Sequence, residues 1–348
     1  MQGRYSPLRL GVIGAGSLGF HHVRILRELP GVEFVGFHEL RPERAAQVAA
    51  ELEVRAFDSA DALLDATDAL TIAVPTLAHY SVAKTALERG RHVLIEKPLA
   101  SNLEEADQLL EIAHRMGALI QTGHVERFNR AIRAAVKHID CPRFIESNRL
   151  APFNPRGSDV TVVLDLMIHD LDLVGNLVGG HVVELSAVGV PVLTPSVDIA
   201  NARLVFDSGV IANITASRVS RERMRKIRIF QRSGYFSLDL AAGTGEYYRM
   251  RRDLDLNELV KAPQELDSFV ERVPLEAEEG EPLRLEFTSF VAAVQGREQV
   301  SVSGEDGREA LAVALRIASE IERTLPSLSG TGSIWPGRKE AAAEGFGA

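Results

Sequence analysis

The spacing of apolar residues alternates between two periods along the first third of the chain. Short apolar runs, typical of buried strands, occur at residues 8–13, 32–38, 68–74, 92–96 and 118–122. Between them, apolar residues recur with helical spacing to about residue 29 and over 41–52, 78–89 and 102–116. This alternation predicts an α/β domain of the Rossmann type, with a doubly wound parallel sheet covered by helices on both faces.

The pattern changes after a helix predicted near 125–138. Consecutive strands are then predicted at 144–150, 182–190, 200–206, 210–217, 226–232, 235–240 and 246–252. Two helices follow, near 283–295 and 305–324. Runs of strands with turn signals between them indicate antiparallel pairing, so we expect a C-terminal α+β domain with a large, mostly antiparallel open sheet.

We expect the domain boundary near Thr122-Gly123. The predicted division is the Rossmann-type domain over 1–122, the C-terminal α+β domain over 123–326, and a mobile tail over 327–348 that is rich in Gly and Ser. Several strands of the second sheet carry apolar residues on both faces. A face without helices would need another cover, which predicts a homodimer or homotetramer.

Composition and charge narrow the class of protein. The 348 residues are 45% hydrophobic and 25% charged, as in an ordinary globular protein, and the formal net charge of −9 does not favour nucleic acid as a partner. One cysteine, Cys141, excludes a disulfide framework and fits a cytoplasmic setting. We expect neither a signal peptide nor a membrane span, because no apolar run approaches about 20 residues.

A glycine-rich turn follows the first predicted strand. Gly14, Gly16 and Gly19 form G-x-G-x-x-G around Ser17 and Leu18, between a strand and a helix. In that context the pattern predicts a pyrophosphate site at a helix N-terminus.

The second predicted strand ends at Glu39, twenty positions after Gly19. A carboxylate there can accept hydrogen bonds from ribose hydroxyls and would repel a 2′-phosphate, so NAD is favoured. Arg41 could contact such a phosphate, which keeps NADP as the less favoured cofactor.

The apolar segment VVLDLMIHDLDLV, residues 162–174, carries four ionisable side chains. On an α-helix, Asp165, His169 and Asp172 share one stripe, which Asn176 extends, while Asp170 points elsewhere and is expected to be structural. Buried ionisable groups are costly unless they are paired. The stripe is therefore either a satisfied structural network or the lining of a site.

Three motifs in this order resemble the Gfo/Idh/MocA family, named after glucose–fructose oxidoreductase and inositol dehydrogenase. They are the glycine fingerprint, Glu96-Lys97-Pro98 after a strand, and Asp165-x-x-x-His169. GHVERFNRA (123–131) and the 162–174 segment resemble the branch of UDP-N-acetylglucosamine 3-dehydrogenases. That branch oxidises the sugar 3-hydroxyl to a ketone, which a PLP aminotransferase then converts to an amine.

The resemblance and the chemistry of alcohol oxidation together assign roles. His169 is the expected general base, and Lys97 the donor that stabilises the developing alkoxide and can share the proton. Asp165 is expected to orient the hydroxyl or the imidazole. Val74-Pro75-Thr76 is expected beside the cofactor and Glu96 near the nicotinamide ribose. The Lys97–Pro98 peptide bond is expected to be cis, as the resembled family often has it.

Two alternatives to this assignment remain. His169 could be a hydrogen-bonded core residue. Asp165 and His169 could bind a metal with a distant third ligand, although no complete ligand set is visible in the sequence; we therefore expect no metal.

A nucleotide sugar carries a pyrophosphate, which arginine forks match well. Residues 217–228 are dense in arginine, and among them Arg221 is expected to bind the substrate. Glu126, Arg127 and Asn129 are expected on the substrate side. A solvated basic loop is the alternative interpretation.

The leading hypothesis is thus an NAD-dependent nucleotide-sugar dehydrogenase. A dehydrogenase of a free polyol or sugar, and a non-catalytic NAD sensor on the same fold, are the alternatives.

Overall fold

The computed structural model describes residues 7–154, 160–251 and 269–325. Over these residues the first sheet has five strands, all parallel: β1 Leu8–Ile13, β2 Val32–His38, β3 Ala69–Ile72, β4 His92–Glu96 and β5 Ile120–Gly123. Their order is β2-β1-β3-β4-β5. Every residue of β3 and β5 is buried, as expected when helices cover both faces of a parallel sheet. The predicted Rossmann arrangement is confirmed.

Helices fill the connections of this sheet. They are α1 Ser17–Leu26, α2 Pro42–Leu52, α3 Ala60–Ala66, α4 His79–Glu88 and α5 Leu103–Met116. Proline at the first position of α2 has no helical partner to lose. The sequence analysis did not predict α3, a seven-residue helix whose first turn is capped by the Ser59 side chain.

The single helix predicted near 125–138 is broken in the structure. A 3₁₀ turn over Val125–Phe128 leads to α6, Arg130–Ala135, and a second 3₁₀ turn spans Val136–His138. Asn129 causes the break, because its backbone is extended and its side chain accepts a hydrogen bond from Ala131 N at 3.0 Å. It therefore begins a new helix as an N-cap residue.

The second sheet has eight strands within the described residues. They are β6 Pro142–Leu150, β7 Val182–Val190, β8 Ile199–Phe206, β9 Ile211–Ser217, β10 Met224–Gln231, β11 Gly234–Asp239, β12 Thr244–Met250 and β13 Val270–Pro274. Their order is β13-β12-β11-β10-β6-β9-β8-β7. Only the β6–β9 pair is parallel among these described pairs, so the predicted mostly antiparallel sheet is confirmed. The predicted tail, 327–348, and Arg252 lie outside the described residues.

Two late helices connect the second sheet back to the first. In α8, Pro282–Val294, Phe287 and Phe290 pack into the same apolar core as Leu10 of β1. The other helix, α9, spans Gly304–Thr324 and packs against both β5 and β7. These two helices, which come last among the described elements, therefore pack against both sheets. The domain division at 122/123 stays a proposal.

Candidate active site

The glycine loop between β1 and α1 fits a dinucleotide pyrophosphate. Gly14 has φ +89°, and a Cβ there would lie 2.6 Å from Ala73 O. A Cβ on Gly19 would lie 1.9 Å from Gly14 O, so the helix packs too closely on the loop for any side chain. The N-cap residue Gly16 offers no side-chain cap, which leaves the first N–H groups of α1, from Ser17 onward, available to an anion.

Glu39 directly follows β2 and contacts this glycine loop. Its carboxylate accepts hydrogen bonds from Ala15 N at 3.0 Å and from Arg41 Nε at 2.9 Å. The hydrogen bond from the Arg41 side chain is the main cause that lowers the pKa of Glu39 to about 2. Its ionised side chain therefore presents acceptor oxygens beside the glycine loop, which is the arrangement that binds ribose hydroxyls. Arg41 is engaged by Glu39, which weakens it as a partner for a 2′-phosphate.

The loop that follows β3, Val74-Pro75-Thr76, is tied to the loop that follows β4. The buried ring of His79 connects them, with Nδ1 2.8 Å from Pro98 O and Nε2 2.9 Å from Val74 O. A carbonyl oxygen only accepts. A neutral imidazole can therefore donate to one of the two loops at a time.

Lys97 leaves the first sheet and reaches the second part of the chain. The Lys97–Pro98 peptide bond is cis, as expected. The ammonium nitrogen donates a hydrogen bond to the backbone oxygen of Asp165 at 2.7 Å and lies 3.7 Å from Asp165 Oδ1. Burial is the main cause that lowers the pKa of Lys97 from its usual value, and the Asp165 carboxylate opposes that effect.

The segment around Asp165 is not the regular α-helix that we expected over 162–174. Val163–Met167 forms a π-helical turn, and α7 follows over Ile168–Val178. A π turn closes its hydrogen bonds one residue later than an α-helix. Side chains on either side of the turn therefore lose the register that a 3.6-residue period predicts.

His169 lies on the first turn of α7 and is half-buried. Its Nδ1 atom is buried and has no hydrogen-bond partner among the described residues. Burial, followed by the charges of Lys97 and Arg149, holds the pKa of His169 well below its usual value. The imidazole is therefore neutral near pH 7 and able to accept a proton.

The predicted polar stripe divides in two. Asp172 accepts hydrogen bonds from Arg127 Nη2 at 2.6 Å and Nε at 2.8 Å, and Asn176 accepts one from Arg127 Nη1 at 3.1 Å. Asp172 thus forms a buried ion pair with Arg127, to which Asn176 adds a hydrogen bond. His169, Asp172 and Asn176 all lie within α7, so their expected common face is unaffected, and the π turn before the helix changes only the register of Asp165. The substrate role predicted for Arg127 stays a prediction.

Arg149, Asp170 and Glu126 form a buried ionic network that the sequence analysis did not predict. Arg149 donates to Asp170 Oδ2 at 2.6 Å and to Glu126 Oε1 at 2.8 Å, with 3% of its side chain exposed. Ser147 also donates to Asp170, which is structural as expected. Asn129 donates to Glu126 Oε2 at 3.1 Å. The substrate roles predicted for Glu126 and Asn129 stay predictions. The sequence did contain one sign of this network. Arg149 lies two residues after Ser147 in the same strand, so both side chains point to the buried face of β6.

The arginine-rich segment does not act as one unit. Arg218 is buried and pairs with Asp198 at 2.9 Å, which anchors the turn before β8. Arg221 is exposed, and its predicted substrate role stays a prediction. Arg225 donates to Glu126 Oε1 at 3.3 Å and keeps 40% of its side chain exposed.

Further buried ionisable groups lie beside Glu96. The carboxylate of Glu96 lies 2.9 Å from His22 Nε2, and His22 Nδ1 lies 3.1 Å from Thr71 Oγ1. Glu286 in α8 is fully buried, and its carboxylate oxygens have no hydrogen-bond partner among the described residues. Burial, with the charge of Glu96, raises the pKa of Glu286 well above its usual value. The sequence analysis did not single out Glu286, although it lies in a helix whose buried residues are mostly apolar. The predicted place of Glu96 near the ribose stays a prediction.

The described residues contain neither a cluster suited to a metal ion nor a helix that could span a membrane. No group of three or more His, Cys, Asp or Glu side chains in that part of the chain is arranged to hold a metal ion. No helix over the same residues is long and apolar enough to cross a membrane.

Comparison with protein families gives two matches. Residues 8–124 match the family model described as an oxidoreductase family with an NAD-binding Rossmann fold, and residues 133–237 match the GFO/IDH/MocA C-terminal domain. The fold, the oxidoreductase class and NAD as cofactor, which the sequence analysis predicted, are confirmed.

Individual relatives agree with these matches. The UDP-N-acetylglucosamine 3-dehydrogenase of Acidithiobacillus ferrooxidans is 38% identical, over 91% of this chain and 98% of that protein, and its crystal structure superposes with a TM-score of 0.84. The NAD-dependent scyllo-inositol 2-dehydrogenase of Bacillus subtilis is 30% identical over 61% of this chain and 68% of that protein. A probable dehydrogenase from Thermotoga maritima, 24% identical with a TM-score of 0.74 over 91% of this chain and 97% of that one, shares the fold. The chain therefore belongs to the GFO/IDH/MocA family of oxidoreductases.

Proposed function

We propose that the protein oxidises the 3-hydroxyl of UDP-N-acetylglucosamine to the 3-keto sugar with NAD as the hydride acceptor. The observation that carries the proposal is the 38% identity to a UDP-N-acetylglucosamine 3-dehydrogenase over 98% of that protein. The contact between Lys97 and Asp165, one turn before His169, supplies groups suited to this reaction.

Oxidation of a secondary alcohol removes a hydride from carbon and a proton from oxygen. NAD, when bound, takes up the hydride. The neutral imidazole of His169 accepts the proton as general base. The charge of Lys97 stabilises the negative oxygen that develops as the proton leaves.

Lys97 is positioned for this task by its surroundings. Its hydrogen bond to Asp165 O and the nearby Asp165 carboxylate hold the ammonium group in one place. Because burial lowers the pKa of Lys97, its proton is more easily shared with the substrate oxygen than that of a solvated lysine. Asp165 has a carboxylate half-exposed beside this contact and is suited to orient the hydroxyl.

The substrate-side and assembly predictions belong to the same proposal. Glu126, Arg127, Asn129 and Arg221 are proposed on the substrate side, and Glu96 near the nicotinamide ribose. The open face of the second sheet, where Phe230, Tyr235 and Tyr248 stack in sequence, is proposed to pair subunits into a homodimer or homotetramer. Light scattering tests this, and a monomer mass at all concentrations would refute it.

The cellular setting is also proposed. The keto product is a substrate of the kind that a PLP aminotransferase converts to an amine, so such an enzyme is the proposed next step. A cytoplasmic location is proposed on the single cysteine, Cys141.

A free polyol is the second candidate substrate, because an inositol dehydrogenase is 30% identical over 61% of this chain. The deciding experiment measures NADH formation with a panel of UDP-hexoses, myo-inositol, scyllo-inositol and glucose. We expect the highest kcat/KM with UDP-N-acetylglucosamine. Turnover of an inositol without turnover of any UDP-sugar would refute the proposal in favour of the second candidate.

A further inference from the structure

Arg225 lies on the covered face of the second sheet, close to His169. It is directly opposite Arg149 in the antiparallel pair of β10 and β6. Residues directly opposite each other in such a pair project to the same face. Both side chains accordingly reach the same atom, Glu126 Oε1, at 3.3 Å from Arg225 and 2.8 Å from Arg149.

The two arginines differ in how well they are paired. Arg149 is buried and bonds to both oxygens of Asp170 as well as to Glu126. Arg225 has one described hydrogen bond, the longer one to Glu126, and 40% of its side chain is exposed. Part of the Arg225 side chain is therefore accessible to a ligand.

Local charge also favours an anion beside Arg225. Burial lowers the pKa of Arg225 from its usual value, and the charge of Arg149 adds to that effect. Burial and then nearby cations, Arg225 among them, hold the pKa of His169 low. Glu126 and Asp170 act in the opposite direction on Arg225, but Asp170 is bonded to Arg149 and the Glu126 oxygen is shared by both arginines, so an anion at the exposed part of Arg225 would give it a partner of its own.

We propose that Arg225 binds the phosphate group attached to the anomeric carbon of the sugar, and so selects nucleotide sugars over free sugars. This inference rests on the proposed function and assigns a substrate-binding group to it. Arg225 shares with Arg149 the carboxylate that fixes its position, and 40% of its side chain stays exposed. Arginine suits this role because its fork of N–H donors matches phosphate oxygens.

Binding to the NADH-loaded enzyme tests the proposal without turnover. Calorimetry gives the Kd of UDP-N-acetylglucosamine for the wild type, Arg225→Gln and Arg225→Lys. Loss of a charge-assisted hydrogen bond should raise the Kd of Arg225→Gln by about 10- to 100-fold. Arg225→Lys keeps the charge and should lie between the two. The Kd of NADH should not change.

Arg228→Gln is the matched control. Arg228 lies on the same strand, but its side chain is on the opposite face and is 62% exposed. This variant should bind UDP-N-acetylglucosamine as the wild type does.

Three results are decisive. Wild-type affinity in Arg225→Gln, with a lower Tm, would show that the arginine only supports Glu126 and would overturn the inference. Absence of UDP-N-acetylglucosamine binding to the wild type would overturn it as well. Weaker binding in Arg225→Gln, combined with no NADH formation by the wild type from that sugar, would support the anion site while refuting the proposed reaction.

Discussion

The ammonium nitrogen of Lys97 lies 2.7 Å from the backbone carbonyl oxygen of Asp165. Lys97 follows the fourth strand of the parallel sheet, and Asp165 lies within the π-helical turn that precedes α7. The contact joins the cofactor half of the molecule to the half that carries His169. π turns are rare and frequent at functional sites, and here the turn presents a main-chain acceptor to the proposed catalytic cation.

Replacement of Lys97 tests that contact. Lys97→Met keeps the length of the side chain but removes its charge, so the developing alkoxide loses its stabilising group. We expect kcat to fall by about 10²- to 10⁴-fold, with the Kd of NAD near the wild-type value. Lys84→Met, a partly exposed lysine of α4 whose ammonium group lies over the Tyr80 ring, is the control. Wild-type kcat in Lys97→Met would remove the lysine from the mechanism.

His169→Ala should remove the general base. We expect kcat to fall by about 10²- to 10⁴-fold, without a change in NAD affinity, and His114→Ala, on the exposed face of α5, to have no effect. Because the pKa of His169 is held well below 6.5, the wild-type rate should be lost only at acid pH, as the imidazole becomes protonated. Full turnover with a lowered Tm would instead identify His169 as a structural residue.

The preference for NAD depends on Glu39. Its ionised carboxylate, held by Ala15 N and Arg41, would repel the 2′-phosphate of NADP. Fluorescence titration should show tighter binding of NADH than of NADPH. Glu39→Ala should weaken NADH binding by about tenfold, the effect of a lost charge-assisted hydrogen bond. Tighter binding of NADPH by the wild type would contradict this account of the site.

Glu286 makes stability depend on pH. Burial raises its folded pKa well above the usual glutamate value of 4.5, so the folded state holds a proton that the unfolded state releases. The free energy of unfolding therefore falls as pH rises from 4.5 towards the folded pKa. Glu286→Gln, which is neutral at every pH, should raise the Tm relative to the wild type, and the difference should grow between pH 5 and 8. Glu298→Gln, at an exposed position, is the control. A difference independent of pH would mean that Glu286 is ionised in the fold.

The elements that the sequence could predict are those governed by local patterns. The parallel strands, the glycine loop and Lys97 after β4 each follow from a short stretch of sequence, and β7 begins and ends at the predicted residues. The break at Asn129 was missed because helical periodicity continues across it, although its side chain caps the next helix.

The site was predictable only in part, because its connections are long-range. Helical spacing places Asp172 on one face with His169 within α7, but it does not reveal that Asp172 pairs with Arg127, 45 positions away, or that a π turn changes the register of Asp165. Arg149 and Glu286 gain their meaning from packing against distant elements, which a single sequence does not display.

The central claim is that the hydrogen at C3 of the sugar is the one removed. UDP-N-acetylglucosamine deuterated at C3 tests it directly, with mass spectrometry of both products. The account predicts that the deuterium appears in NADH and that the sugar becomes a 3-keto species without the label. Unlabelled NADH formed together with a sugar product that keeps the deuterium would contradict it.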